Sequence, residues 1–445
     1  MFTYPKDLYT DIRIEEVFET KIIYELGEIQ ELKTRNHKGA FIRIFDGEKW
    51  YYSATTDLEN LQEEINKLSA YGTPNKNINQ HRVINGFEVH KETLRKYDNE
   101  RIYDIPMKNK QDLLTSYFPI VDNNPTITYW KALYNDKRVV KNFYSSKGSE
   151  ISYDSQWAGF AISMNFVKGK NRFTESFQKA SDSFEDLLDQ QEKCKALIKK
   201  CEDFVENAKP VVPGKYTTIL APAVAGVFAH ESFGHKSESD FMIGDETMKK
   251  EWAIGKKVGA DILSIIDDGG ILQGGYLPFD DEGTQGKRTE IIKDGILTGR
   301  LHSGTTAASL EESLTGNARS INFEFEPIVR MTNTYIDQGT RRKEELISEI
   351  QEGIYIESFN HGSGMSTFTI APALAYYIRD GKIAEPVNIS VVTGNVMKTL
   401  ALIDGVSDKV EFASFITGGC GKMEQFPLAI GFGGPYVRVK EMEIQ

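Results

Sequence analysis

Ala229-His230-Glu231-Ser232-Phe233-Gly234-His235 places two imidazoles around a carboxylate at the end of an apolar run, the residue set of a hydrolytic zinc site. Its spacing differs from that of the common zinc-protease helix, H-E-x-x-H, in which histidines four apart share one face and the glutamate serves as general base. At about 100° per residue, an i,i+5 pair on a regular α-helix diverges by roughly 140°. The two rings converge only if the helix departs from regular geometry between them. Gly234 permits this, because a residue without Cβ tolerates the dihedrals of a helix end or a one-residue π-bulge. The competing reading is a chance match with structural histidines. Upstream, Tyr216 to Leu220 reads as a buried strand and Ala223 to Phe233 as a short helix, so His230 emerges from a rigid element.

A catalytic zinc needs three protein ligands and one open position. Cys420, in Thr417-Gly418-Gly419-Cys420-Gly421-Lys422, is the leading candidate for the third, since flanking glycines fold the backbone tightly around an accessible sulfur. Otherwise it is a turn cysteine without a role. In the zinc reading His230, His235 and Cys420 hold Zn2+, while Glu231 takes a proton from water and passes it to the leaving amine. His302 could bond an oxyanion but reads rather as a surface or structural histidine. Asp280-Asp281-Glu282-Gly283 lacks calcium-loop spacing and reads as a solvated turn. Gly362 to Gly364 and Gly431 to Gly434 match no phosphate-binding fingerprint and read as turns lining a cleft, in which an exposed strand edge could hold an extended peptide.

The chain's 445 residues favour two or three domains. With 53 basic and 65 acidic residues and a net charge of −12, it is ill suited to neutralising phosphates, so no nucleic-acid partner is expected. Met1 to Asp7 lack the regions of a signal peptide, and no apolar run is long enough to cross a bilayer. A cytoplasmic protein with no membrane partner is expected. Three cysteines, an odd and sparse count, suit a reducing compartment.

The organisation reads as α+β in two domains, 1–209 and 210–445. The first is an antiparallel β-meander with helices, the second β-rich and carrying the H-E-x-x-x-H helix. Strands are expected from Ile12 to Val17, Ile22 to Leu26, Phe41 to Phe45 and Trp50 to Ala54, with turns at Gly27, Asn36 to Gly39 and Asp46-Gly47. Asp57 offers an N-cap to a helix with the stripe Leu58, Leu61, Ile65 and Leu68. A second strand set spans Thr126 to Phe166, turning at Asn135-Asp136 and Lys147-Gly148. Phe184 to Ala208 reads as a long helix burying Cys194, Leu197, Ile198, Cys201, Phe204 and Val205, its thiols there for packing. Pro210 and Pro213-Gly214 mark the boundary. Hairpins are expected at Asp294-Gly295 and Asp380-Gly381, and a closing strand from Tyr436 to Ile444.

These residues resemble the TldD/PmbA family, once described as modulators of DNA gyrase and now viewed as metallopeptidases. The resemblance rests on an ordered set: Leu220-Ala221-Pro222, His230-Glu231 with Gly234-His235, Phe279 to Gly283, Thr315-Gly316-Asn317, Arg330 to Thr334, Gly353-Ile354-Tyr355 and Gly419 to Lys422. The strand-rich opening is similar to the family's N-terminal domain, with the leading helix shortened. The resemblance implies zinc in the C-terminal domain on His230, His235 and Cys420, and Glu231 as catalytic acid and base. It implies short or unfolded peptides as substrates and a dimer enclosing a cavity, either a homodimer or a heterodimer with a PmbA/TldE-like subunit that lacks the motif. Two other readings stand beside the peptidase: a catalytically silent partner or interaction factor with structural histidines, and a zinc hydrolase of non-peptide amides or esters.

Overall fold

The computed structural model describes residues 2–445. The architecture is α+β, as expected. Seven strands from the first 181 residues build one sheet: β1 (Tyr9–Glu25), β2 (Glu28–Phe45), β3 (Trp50–Thr55), β4 (Lys91–Leu94), β5 (Ile127–Ser145), β6 (Glu150–Lys168) and β7 (Asn171–Ser181). Their order is β3-β2-β1-β5-β6-β4, with β7 also on β6, and every pairing is antiparallel except β4 with β6. At about 3.3 Å per residue, the longest strands extend roughly 60 Å.

Two expected turns are absent, and both positions lie inside unbroken ladders. Asn36 and His37 pair with Phe18 and Val17, while Asn135 and Asp136 pair with Lys21 and Thr20. Tertiary contacts override the local turn preference of these residues. Asp136 is buried in an ion pair with Lys110 at 2.5 Å and accepts from the Thr20 amide at 2.9 Å. Gly39 leaves room for the ring of Phe323, which a Cβ would meet at 2.2 Å. Strand β7 had no counterpart in the sequence reading, because its partly exposed, polar sequence lacks a β-rich run.

The first long helix begins at Leu61, with Asn60 rather than Asp57 at the capping position, and buries Leu61, Ile65 and Leu68. The helix Gln191–Asn207 is shorter than expected at its start, where Asp189 takes a left-handed φ of 55°. It buries Cys194, Ile198, Cys201, Phe204 and Val205. Burial pushes the Cys194 thiol up to about 12, which fits packing rather than reactivity.

Beyond residue 208 the chain forms a ten-stranded and a six-stranded sheet with two small hairpin sheets. The strand Gly214–Leu220 lies inside the larger sheet, parallel to Glu352–Ile356 and antiparallel to the closing strand Val437–Ile444. Helix Pro222–Ala229 follows it at once and is buried on nearly all sides. Gly226 sets the helix directly on the strand Gly431–Gly434, since a Cβ there would lie 2.5 Å from the Gly433 nitrogen. That glycine run, expected as a turn, is a strand parallel to Asn333–Ile336; Gly362 to Gly364 likewise belong to the strand Phe359–Gly364. Glycine serves there for close approach of neighbouring elements. Both expected hairpins, at Asp294-Gly295 and Asp380-Gly381, form. Among the described residues no helix is long and apolar enough to cross a membrane.

The acidic run Asp280 to Glu282 is buried, not solvated as expected. Asp281 pairs with Arg13 of β1 at 3.2 Å and with Lys141 of β5 at 2.6 Å; Glu282 pairs with Arg43 of β2 at 2.7 Å. The cations that neutralise it lie far along the chain, Lys141 by 140 residues, so no local pattern could reveal them.

Burial works against ionisation of Asp281, yet Arg13 and Lys141 outweigh it and hold the carboxyl well below its usual range. The stability this supplies is present above the unfolded-state pKa of ~4 and is lost as pH falls. Asp281→Asn is predicted to lower stability at neutral pH by about 3 kcal/mol and to flatten the acid side of the unfolding profile. Urea unfolding from pH 3 to 7 measures both, and an unchanged acid dependence would refute this role for the pair.

Candidate metal centre

The helix Pro222–Ala229 does not continue regularly through the histidines. His230–Gly234 forms a π-helical turn, and α-geometry resumes over His235–Ser237. Widening to i→i+5 hydrogen bonding places residues five apart on one side. The rings of His230 and His235 accordingly lie 4.9 Å apart between centroids, at 75°. The glycine in the turn serves a purpose other than the one expected. Gly234 has ordinary helical dihedrals, φ −55° and ψ −54°, so they do not require glycine. A Cβ would instead lie 2.0 Å from the sulfur of Met331.

Cys420 arrives from the hairpin formed by Cys420–Lys422 and Gln425–Leu428. Its Sγ lies 3.7 Å from Nε2 of His235, and one ligand atom from each of His230, His235 and Cys420 falls within 4.8 Å of the others. Zinc bonds of about 2.0 Å to nitrogen and 2.3 Å to sulfur give a tetrahedral N···S edge of about 3.5 Å. The donor set therefore fits zinc. A further sign is Nδ1 of His230, buried without a hydrogen-bond partner among the described residues. Glu231 is outside this trio of donors. It is half-buried, with its backbone and Cγ against Gly364 and Gly362.

Residues that the sequence reading passed over hold the trio. Glu238, fully buried, accepts from Nδ1 of His235 at 3.1 Å and so directs Nε2 towards Cys420. Lys422 lies 3.2 Å from Glu238, 2.7 Å from Asp240 and 2.8 Å from the Val329 carbonyl, tying the hairpin to the helix end. Arg330 donates to the Cys420 carbonyl at 2.8 Å. The only signal for Glu238 was its place three residues after His235; Lys422 and Arg330 sat inside quoted motifs without roles. His302 stands apart from the trio. It is buried against Ser239, Thr306 and Glu312, the structural and not the surface alternative of the two expected.

Protonation within the trio is shared. Burial opposes the Cys420 thiolate, but hydrogen bonds with His230 and His235 outweigh it and bring the thiol down to about 5. Burial also opposes charge on His235, and hydrogen bonds with Cys420 and Glu238 raise it to about 10. Between these values the pair is a thiolate and an imidazolium.

Comparison with known proteins identifies the family. The model of the PmbA/TldA metallopeptidase C-terminal domain matches residues 213–445, and that of domain 1 matches residues 10–70. The chain belongs to the PmbA/TldD metallopeptidase family. It is 30% identical to a metalloprotease of Methanothermobacter thermautotrophicus across 97% of this chain and 94% of that one. A metalloprotease of Synechocystis sp. is 42% identical, over 53% of this chain and only about half, 51%, of the relative. The zinc metalloprotease TldD homolog of Saccharolobus solfataricus is 28% identical over 98% and 96%. Among solved structures, a Thermotoga maritima protein has a TM-score of 0.80 at 20% identity over 98% and 96% of the two chains. TldE from Thermococcus kodakarensis has a TM-score of 0.74 at 17% identity, with the same coverage.

Two outcomes follow for metal binding. A cation taking Nε2 of His235 displaces its proton, so zinc binding at pH 7 should release about one proton, and affinity should rise with pH between about 5 and 10. Calorimetry in buffers of different ionisation enthalpy reads this directly; binding without proton release would contradict it. Glu238→Gln, which weakens the grip on Nδ1, should cost about 10–100-fold in zinc affinity, measured by chelator competition.

Proposed function

We propose that this chain is a zinc-dependent peptidase in which His230, His235 and Cys420 hold Zn2+ and Glu231 is the general base. The observation that carries the proposal is the convergence of two imidazoles and a thiol at zinc-like spacing beside Glu231. Zinc bound there would acidify a water and polarise the scissile carbonyl. Glu231 would accept a proton from the attacking water and deliver it to the leaving amine. Glu238 keeps the His235 ring oriented, and Lys422 compensates the buried Glu238 carboxylate.

The proposed substrates are short or unfolded peptides. An extended chain is favoured by the strand Phe359–Gly364, an edge of the ten-stranded sheet that packs on Glu231. Residues 1–209 form the proposed N-terminal α+β domain and 210–445 the C-terminal metallopeptidase domain, a division supported by the start of the family match at residue 213. Family membership supports a dimer, with a second copy or with a PmbA/TldE-like subunit.

Glu231→Gln should retain zinc, by metal analysis, while peptide turnover falls by about 100-fold or more. Turnover that persists in this variant would remove Glu231 as the base. Hydrolysis of esters and small amides without hydrolysis of peptides would overturn the substrate assignment.

A further inference from the structure

A cavity of about 1030 Å³ separates one face of the first sheet from the loops around the Cys420 hairpin. It reaches Gly418 and Gly419, just before Cys420, and Leu428, which pairs with Cys420 across the hairpin. Strand register fixes its floor. Arg35, Glu19, Lys137 and Trp157 stand side by side across β2, β1, β5 and β6, and Glu15 lies opposite Lys141 four residues along.

The cavity is lined by charges of both signs, most of them paired. Glu19 is paired with Arg35 at 3.4 Å, and Glu15 lies 2.9 Å from Arg13 and 3.3 Å from Lys141. Asp281 is held by Arg13 and Lys141, and Asp182 by Lys96. Glu324, on the far rim, accepts from Asn322. Lys137 is left over: among the described residues it has no ion-pair or hydrogen-bond partner. Burial lowers its pKa, with Glu15 and Glu19 offsetting that in part and Lys141 adding to it. On the opposite wall Arg319 directs its guanidinium to the carbonyls of Met331 and Ala429, not to a carboxylate. Two cations without acidic partners thus border one cleft. A partly desolvated cation is stabilised by an anion that enters beside it.

We propose that Lys137 receives a carboxylate of the peptide substrate, which makes it a specificity-determining residue for the peptidase reading on which this inference rests. The carboxylate comes from the peptide C-terminus or from an acidic side chain. Trp157, its neighbour across the strands, supplies apolar surface for the adjoining part of the peptide.

The test uses the full-length zinc-loaded protein and matched peptides: one with a free C-terminus, its C-terminal amide, and amides carrying an internal Glu or Gln. A carboxylate at the preferred position should lower KM by about tenfold with kcat little changed, the scale of one charge-assisted contact. Lys137→Ala should raise KM for that peptide to the level of its uncharged match, and Lys137→Arg should keep the preference. Which matched pair shows the effect identifies the source of the carboxylate. Equal KM values for charged and uncharged peptides in the unaltered protein, or a preference that survives in Lys137→Ala, would overturn the proposal while leaving the peptidase reading intact. Absence of turnover for every peptide would instead remove the peptidase reading, and this inference with it.

Discussion

Two histidines five residues apart can share a metal only if the helix between them is widened, and the rest of the C-terminal part is arranged so that this widened turn persists. A π turn is less regular than the helix it interrupts and needs support from its surroundings. That support is steric. Gly226 lets the preceding helix rest on the Gly433 backbone, and Gly234 lets the turn itself rest on Met331. Gly364 brings an edge strand against the Glu231 carbonyl. Each glycine removes a Cβ at a place where two backbones, or a backbone and a side chain, come too close for any other residue. The turn is clamped from several sides, so His230 and His235 present their rings to one point.

Electrostatics carries that order outward. Glu238 is buried only because His235, Lys422 and Arg330 stabilise its charge, and Lys422 in turn anchors the hairpin that delivers Cys420. The third donor, 185 residues away in sequence, is therefore positioned by the same carboxylate that orients the second. Further out, Asp281 and Glu282 reach into the first sheet through Arg13, Lys141 and Arg43. Removing one member of such a buried set leaves an uncompensated charge, which is why these contacts fix the first sheet against the part that carries the candidate metal site. Asp281 and Lys141 also line the cleft between them.

What the sequence disclosed followed the range of the interactions involved. The amphipathic stripe of Gln191–Asn207, the hairpins at Asp294-Gly295 and Asp380-Gly381, and the need for an irregular turn at His230 to His235 are set by neighbours a few residues apart. Those were legible. The turns expected at Gly39 and Asp136 failed because distant partners, Phe323 and Lys110, decide those positions. The acidic run at Asp280 to Glu282 looked solvated for the same reason. Gly234 stands out in the sequence for the dihedrals glycine permits, whereas the Met331 sulfur is what demands it. The motif residues gathered at the candidate site could be named from sequence; the roles of the carboxylate and lysine that hold them could not.

The central claim is that the π turn and the Cys420 hairpin together make one zinc site of two nitrogens and one sulfur. X-ray absorption at the zinc edge, on protein loaded with one equivalent of zinc, tests it most directly. The account predicts one sulfur at about 2.3 Å and two imidazole nitrogens at about 2.0 Å, with the sulfur lost in Cys420→Ser. A zinc shell without sulfur, or one unchanged by that substitution, would contradict it.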